Sequence, residues 1–144
     1  MKSTVEVDIN APQAEVATLF TDPRRNTAWM EDVDRVEPVA GPLGVPGSTY
    51  RLVPKKSGMV FTATVLTRNL PHEAQLSLEA SNVIIGASGR FVATGPGTTH
   101  LISEQVFRFR GLGARIFGFL ARGAIRKAHR RHMEAFKHFA EAQR

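Results

Sequence analysis

Apolar and polar residues alternate along most of this 144-residue chain, and the spacing of the apolar residues changes near the C-terminus. Val5, Val7 and Ile9 alternate with acidic residues, which predicts a strand over residues 3–9 with one buried face. Similar alternation, interrupted by turns rich in Gly, Pro, Ser and Asn, predicts an irregular strand between residues 31 and 40 and five further strands. Those five strands cover about residues 48–54, 59–69, 74–80, 83–94 and 98–109.

Helical signals occur at two places in the chain. After the first strand, Pro12 favours the first turn of one short helix, and Asp22 followed by Pro23 favours the start of a second that runs to about Trp29. From Leu112 to Ala142 the apolar residues recur at helical spacing, and a helix of that length would be roughly 45 Å long. One face of this helix is predicted to carry Phe117, Ala121, Ala124, Ile125, Ala128, His132, Ala135, Phe136 and Phe139. The order of elements predicts an α+β fold, in which an antiparallel sheet packs against the long C-terminal helix.

The inward rows of the strands contain many small residues. We assign inward the rows Met59-Phe61-Ala63-Val65, Leu76-Leu78-Ala80 and Ile85-Ala87-Gly89-Phe91-Ala93. Because Ala also dominates the helix face, the sequence predicts a cavity between sheet and helix. The sequence does not decide which row of the last strand faces inward. Either the row with Leu101 and Ser103 or the row with His100 and Glu104 does so, and a register shift of one residue exchanges the two rows.

Composition and charge narrow the functional classes. The length suits a single domain over residues 1–144, and the absence of Cys excludes disulfides, a thiol nucleophile and a thiolate metal site. The N-terminus lacks the apolar run of a signal peptide, so we expect a cytoplasmic protein. Residues 108–144 carry ten Lys and Arg against two Glu, a net charge of +8. This charge suits a solvated helix face or attraction to phosphate, and we expect no specific nucleic-acid partner.

The order of strand, two short helices, six strands and long closing helix, with Ile9, Ala11, Pro12, Asp22 and Trp29 placed as they are, resembles the START-like superfamily. The resemblance is to its SRPBCC branch of polyketide cyclases/dehydrases and lipid-transport proteins. It implies a Bet v 1-like helix-grip fold, in which a curved antiparallel sheet of about seven strands wraps the terminal helix and encloses an apolar cavity. Members bind lipids, sterols or polyketides, and some are cyclases.

In the cyclase members, arginines at inward strand positions line the cavity. Here Arg68 and Arg90 lie on rows that we predict to face outward, so a cyclase's polar set cannot be placed on this chain.

The leading functional hypothesis is binding or transport of a hydrophobic small molecule, such as a lipid or polyketide, without cofactor or metal. The predicted ligand-binding residues are Trp29, Phe61, Val65, Leu78, Ala87, Phe91, Phe117, Ile125, Ala128, His132 and Phe136. The alternative is a cofactor-independent enzyme of the polyketide cyclase/dehydratase type, with His132 and Glu104 as candidate acid/base groups if Glu104 faces inward. His129 and His132 are three residues apart, but no third metal ligand lies at a suitable spacing.

The segment from Leu112 to Leu120 is apolar on nearly all sides and is followed by arginines. A helix of this kind must contact something other than water. Three interpretations remain open: a lid over the cavity, a homodimer contact, and an element that touches an anionic membrane surface.

Overall fold

The computed structural model describes residues 1–56 and 58–143, which form one seven-stranded antiparallel sheet with helices on its inner face. The strands are β1 (Lys2–Ile9), β2 (Val33–Ala40), β3 (Thr49–Pro54), β4 (Phe61–Asn69), β5 (Glu73–Glu79), β6 (Val83–Gly95) and β7 (Thr98–Phe109). The helices are α1 (Gln13–Thr21), α2 (Asn26–Trp29), α3 (Leu112–Leu120) and α4 (Arg122–Ala142). The strand order is β1-β7-β6-β5-β4-β3-β2, so the first two strands of the chain form the two edges. This confirms the predicted α+β helix-grip architecture.

The two short helices after β1 begin at the predicted signals. Pro12 directly precedes α1. The carboxylate of Asp22 accepts a hydrogen bond from the backbone N–H of Arg24 at 3.0 Å, and a 3-10 turn over Pro23–Arg25 leads into α2. Together these helices cover one end of the sheet.

The C-terminal helical region is interrupted at Ala121, whose φ of −90° and ψ of 2° separate α3 from α4. Gly118 and Gly123 flank this point and lower the helix propensity there. Gly118 lies against the ring of Phe109 on β7, where a Cβ would overlap the ring. The 21-residue α4 is therefore the helix that the sheet holds, and α3 is a separate element.

The main core lies where β1, α1, α2 and α4 meet the inner face of β6 and β7. The predicted inward rows of β4, β5 and β6 are confirmed over their central parts, where Ala63, Val65, Ile85 and Phe91 are buried, whereas Met59 and Ala93 at the ends of these rows are exposed. In β7 the inward row is the one that holds Leu101 and Ser103, which are 0% and 3% exposed.

The buried stripe of α4 differs from the predicted one. It consists of His129, Met133, Phe136 and Ala140, at spacings of four, three and four residues. The predicted stripe contained Ala128 and His132, each one position before the buried His129 and Met133, so the helix is rotated relative to the prediction. Within the described residues, no helix combines the length and apolar character needed to cross a membrane.

Candidate functional site

A cavity of about 90 Å³ lies between the inner face of the sheet and helices α1, α2 and α4. Its wall is mainly apolar, and the residues that line it include Phe20, Trp29, Tyr50, Leu76, Leu78 and Met133. A space of this size holds roughly three water molecules, or a small organic group of similar volume. A larger lipid would fit only if side chains of the wall moved.

An aromatic cluster closes one end of the cavity. The rings of Phe20 and Trp29 stack with centroids 5.5 Å apart, and Phe136 meets Phe20 edge to face at 4.9 Å. Gly89 on β6 makes this arrangement possible, because a Cβ there would lie 3.1 Å from Cε1 of Phe20. The small inner residues of β6 thus bring the aromatic helix side chains close to the sheet.

Arg68 lies in the cavity wall, and our prediction that it faces outward is wrong. A β-bulge between Val65 and Thr67 shifts the pairing of β4 with β5, so that Leu66 and Thr67 are both exposed and Arg68 turns inward. Strict alternation cannot anticipate such an inserted residue. Arg90 has no bulge before it and stays exposed on the outer face, as predicted.

The guanidinium of Arg68 is only partly satisfied. Its Nε donates a hydrogen bond to Oγ1 of Thr21 at 3.2 Å, and it has no acidic partner within the described residues. Arg carries five N–H donors and is always ionised. A half-buried cation with unused donors in a mainly apolar wall favours a ligand with acceptor oxygens.

Trp29, another residue of the cavity wall, has a buried indole N–H without a partner among the described residues. The residue as a whole is 4% exposed. A buried N–H without a partner costs roughly 1–3 kcal/mol. A ligand acceptor would reach this N–H only after side chains of the wall moved, because the nitrogen itself has almost no accessible surface.

His129 connects the cavity wall to β1. Its Nδ1 lies 2.8 Å from Oγ of Ser3, and its Nε2 lies 2.9 Å from Oγ of Ser103, which lines the cavity. Burial, together with the nearby His132 and Arg130, lowers the pKa of His129 to about 4. The imidazole is therefore neutral near pH 7, with one nitrogen donating and the other accepting.

The sequence interpretation considered His129 only as a metal ligand and chose His132 as the polar group of the cavity. The signal that could have found His129 is the pairing of a helical histidine with Ser3 and Ser103 on inward strand rows. Two hydroxyls at such positions can satisfy both ring nitrogens, so burial costs little.

The structure does not bring His132 and Glu104 together. His132 lies at the margin of the buried stripe, with Nε2 3.6 Å from the Asp32 carboxylate. Glu104 lies on the outer face of β7 and pairs with Lys2 at 3.3 Å. The condition that Glu104 faces inward is not met, and the proposed acid/base pair is lost.

The other predicted ligand-binding residues fall into three groups. Trp29, Val65, Leu78 and Ala87 line the cavity. Phe61, Phe91 and Phe136 belong to the hydrophobic core around it. Phe117, Ile125 and Ala128 lie outside the cavity wall, and Phe117 is 67% exposed. Within residues 1–56 and 58–143, no group of three His, Asp or Glu side chains is placed to hold a metal ion.

Comparison with known proteins gives one family and many similar structures. The family model for "Polyketide cyclase / dehydrase and lipid transport" matches residues 1–141. A START superfamily protein from Mycobacterium smegmatis superposes with a TM-score of 0.78 at 15% identity, over 99% of both chains. Norcoclaurine synthase from Thalictrum flavum superposes with a TM-score of 0.72 at 12% identity, over 96% of this chain and 85% of that one. A search of curated protein sequences gives no match. At these identities the structural similarity shows the fold alone.

Proposed function

The chain belongs to the polyketide cyclase/dehydrase and lipid transport family, and from this we propose that it binds a hydrophobic small molecule, lipid-like or polyketide-like, in the cavity between sheet and helices. The observation that carries the proposal is the cavity itself, whose wall is mainly apolar. Transfer of apolar ligand surface out of water supplies about 25 cal/mol for each Å² buried. Binding by enclosure and desolvation follows from this wall.

The polar groups of the wall define one end of the ligand. The guanidinium of Arg68 has N–H donors without acceptors among the described residues. A carboxylate, or a carbonyl of a polyketide chain, would supply the missing acceptors, and a carboxylate would also pair with the charge of Arg68. The proposed ligand is therefore apolar along most of its length and carries acceptor oxygens at one end.

The enzyme alternative has a specific observation in its favour, although not the one predicted. Ser103 presents a hydroxyl to the cavity, and this hydroxyl is hydrogen-bonded to the neutral imidazole of His129. Such a pair can relay a proton to or from a bound carbonyl compound. A base whose pKa is about 4 removes protons poorly near pH 7, so we place this alternative second.

Intrinsic fluorescence provides the test, because Trp29 is the only Trp of the chain and lies in the wall. We expect a short-chain fatty acid, small enough for the cavity, and the primary alcohol of the same chain length both to change the emission saturably, with tighter binding of the acid. In Arg68→Gln the preference for the acid should fall roughly tenfold or more, since hydrogen bonds to charged groups contribute about 1.5–3 kcal/mol. Arg90→Gln removes the same charge from the outer face and should leave the preference unchanged. Absence of saturable binding of either compound would reject the proposal.

A further inference from the structure

Helix α3 exposes a cluster of large apolar side chains that no part of the described chain covers. These are Leu112, Ile116, Phe117, Phe119 and Leu120, each between 53% and 74% exposed. The helix rests on the rest of the molecule chiefly through Gly118, its one buried residue, which lies against Phe109. So many protruding apolar groups on nine residues exceed what an ordinary solvated helix carries.

Arginines surround the same helix. Arg108, Arg115, Arg122 and Arg126 line an open groove of about 650 Å³ between α3, the end of β7 and the N-terminus. The guanidinium of Arg122 lies 4.0 Å from the ring centroid of Phe119, so cation and apolar ring face the same region. None of these four arginines forms an ion pair with an acidic side chain in the described part of the chain.

The surrounding sequence contains no acid that could neutralise them. From residue 105 to residue 133 the chain has no Asp or Glu. Arg110 reaches back to Glu79 at 2.6 Å, which shows that an arginine of this region takes a carboxylate partner where one is near. This surface thus combines the exposed apolar side chains of α3 with the positive charges of the four arginines.

We propose that α3 and these four arginines form a docking surface for an anionic lipid membrane. The apolar side chains of α3 lie among the lipid chains at headgroup depth, and the arginines bind lipid phosphates. This is the arrangement that an interfacial amphipathic helix requires, with apolar area and basic residues both contributing to affinity.

Charge complementarity favours a membrane over the other occupants. A second copy of the chain would bring the four arginines against the same four arginines without an intervening acid, at the cost of like-charge repulsion. A lid over the cavity is not supported, because no described residue of α3 lines it. Nucleic acid would neutralise the arginines but would leave most of the exposed apolar side chains of α3 in water.

Vesicle co-sedimentation tests the docking surface on the full chain. We expect binding to vesicles of phosphatidylcholine with phosphatidylglycerol, weak binding to phosphatidylcholine alone, and weaker binding at high salt. Equal binding to both kinds of vesicle, or binding to neither, overturns the proposal.

Two pairs of variants separate the apolar and the charged contributions. Phe117→Ser with Leu120→Ser should weaken binding to anionic vesicles roughly tenfold or more, whereas Leu66→Ser with Val92→Ser, on the outer face of the sheet, should not. Arg115→Gln with Arg122→Gln should weaken it roughly tenfold, whereas Arg51→Gln with Arg90→Gln should not. Since the substituted side chains are exposed, circular dichroism and thermal unfolding should match the unmodified protein.

Two further outcomes would assign the surface to another partner. Binding of duplex DNA that is stronger than vesicle binding and indifferent to Phe117→Ser with Leu120→Ser would overturn the membrane assignment in favour of nucleic acid. A dimer, seen by light scattering, that the same substitutions convert to a monomer without changing vesicle binding would overturn it in favour of self-association. Neither outcome depends on whether the cavity binds a ligand, so the fluorescence test of the cavity stays independent.

Discussion

Ser103 Oγ lies 2.9 Å from Nε2 of His129, and this hydrogen bond joins the cavity wall to the buried stripe of α4. The second nitrogen of the same ring is satisfied by Ser3 on β1. One buried imidazole therefore ties an edge strand, the strand beside it and the closing helix together. Loss of this imidazole should lower the stability of the fold more than it weakens ligand binding.

Substitution His129→Leu should lower the free energy of unfolding by roughly 2–4 kcal/mol, because it leaves two buried hydroxyls without partners. Adding Ser3→Ala and Ser103→Ala should recover much of that loss, since removal of all partners leaves nothing unsatisfied. Urea unfolding monitored by circular dichroism measures both effects. His138→Leu, at an exposed position of the same helix, is the control and should change little. A triple variant no more stable than His129→Leu would contradict this account.

The stability of the protein should fall as the pH is lowered from about 6.5 to about 4. In this window the unfolded chain protonates His129, whose unperturbed pKa is 6.5, while the folded protein with its pKa of about 4 does not. Since the unfolded state binds more protons, acidification favours unfolding, by at most roughly 3 kcal/mol. Urea unfolding at a series of pH values measures how the free energy of unfolding depends on pH. In His129→Leu this dependence should be weaker.

The contribution of His100 to stability should change with pH in the opposite sense to that of His129. Hydrogen bonds to Glu6 and Asp8 raise the pKa of His100 above its usual value. Its contribution to stability is complete below pH 6.5 and is lost as the pH rises through the raised pKa. NMR titration of the imidazole resonances should place the midpoint of His100 above the usual value and that of His129 below it. If Glu6→Gln with Asp8→Asn leaves the higher midpoint unchanged, the assignment to His100 is wrong.

Gly89→Ala should destabilise the fold by about 1–3 kcal/mol and disturb the aromatic end wall. A Cβ at this position meets the ring of Phe20, which is held between Trp29 and Phe136 and has little room to move. Near-ultraviolet circular dichroism of Trp29 should change with it. Gly86→Ala, three residues earlier on the outer face, meets nothing within 4 Å and should leave both measurements unchanged.

Filling the cavity should remove ligand binding while the fold is kept. Ala87→Leu places a larger side chain in the space between sheet and helices, so the leucine occupies volume that a bound ligand would need. We expect binding of a fluorescent apolar probe to weaken roughly tenfold or more while the unfolding midpoint stays within a few degrees. Ala93→Leu adds the same side chain at an exposed position of β6 and should leave probe binding unaffected. Unchanged probe binding in Ala87→Leu would place the ligand elsewhere.

The order of elements and most inward rows follow directly from the sequence, because period-two and period-3.6 patterns reflect one buried face. Three features do not. The bulge that turns Arg68 inward inserts one residue and breaks the alternation on which the prediction depends. The inward row of β7 carries Ser103 and Gln105, and its alternative carries Ile102 and Val106, so hydropathy does not separate them.

The third feature is the rotation of α4. The predicted and the observed stripe each contain a histidine, so hydropathy does not separate them, and the observed one places His129 against the serines on β1 and β7. Those partners come from strands more than 25 residues away in sequence, with separations of 126 and 26 residues. Patterns read along a single helix do not contain that information, and this is why the cavity was predicted while its polar groups were not.

The strand order has a consequence for how the chain reaches this structure. β1 and β2 are neighbours in sequence, yet they occupy opposite edges, and β1 has only β7 as its partner, with Lys2 opposite Val106. Until residues near 98–109 are available, β1 has no strand to pair with, and closing a loop of that length costs entropy before any contact is gained. During synthesis β1 therefore stays unpaired until nearly all of these residues have been made. We expect the closing of the sheet to be a late and slow step of folding, because the β1–β7 pair is non-local whereas the other described pairs join strands that are consecutive in sequence.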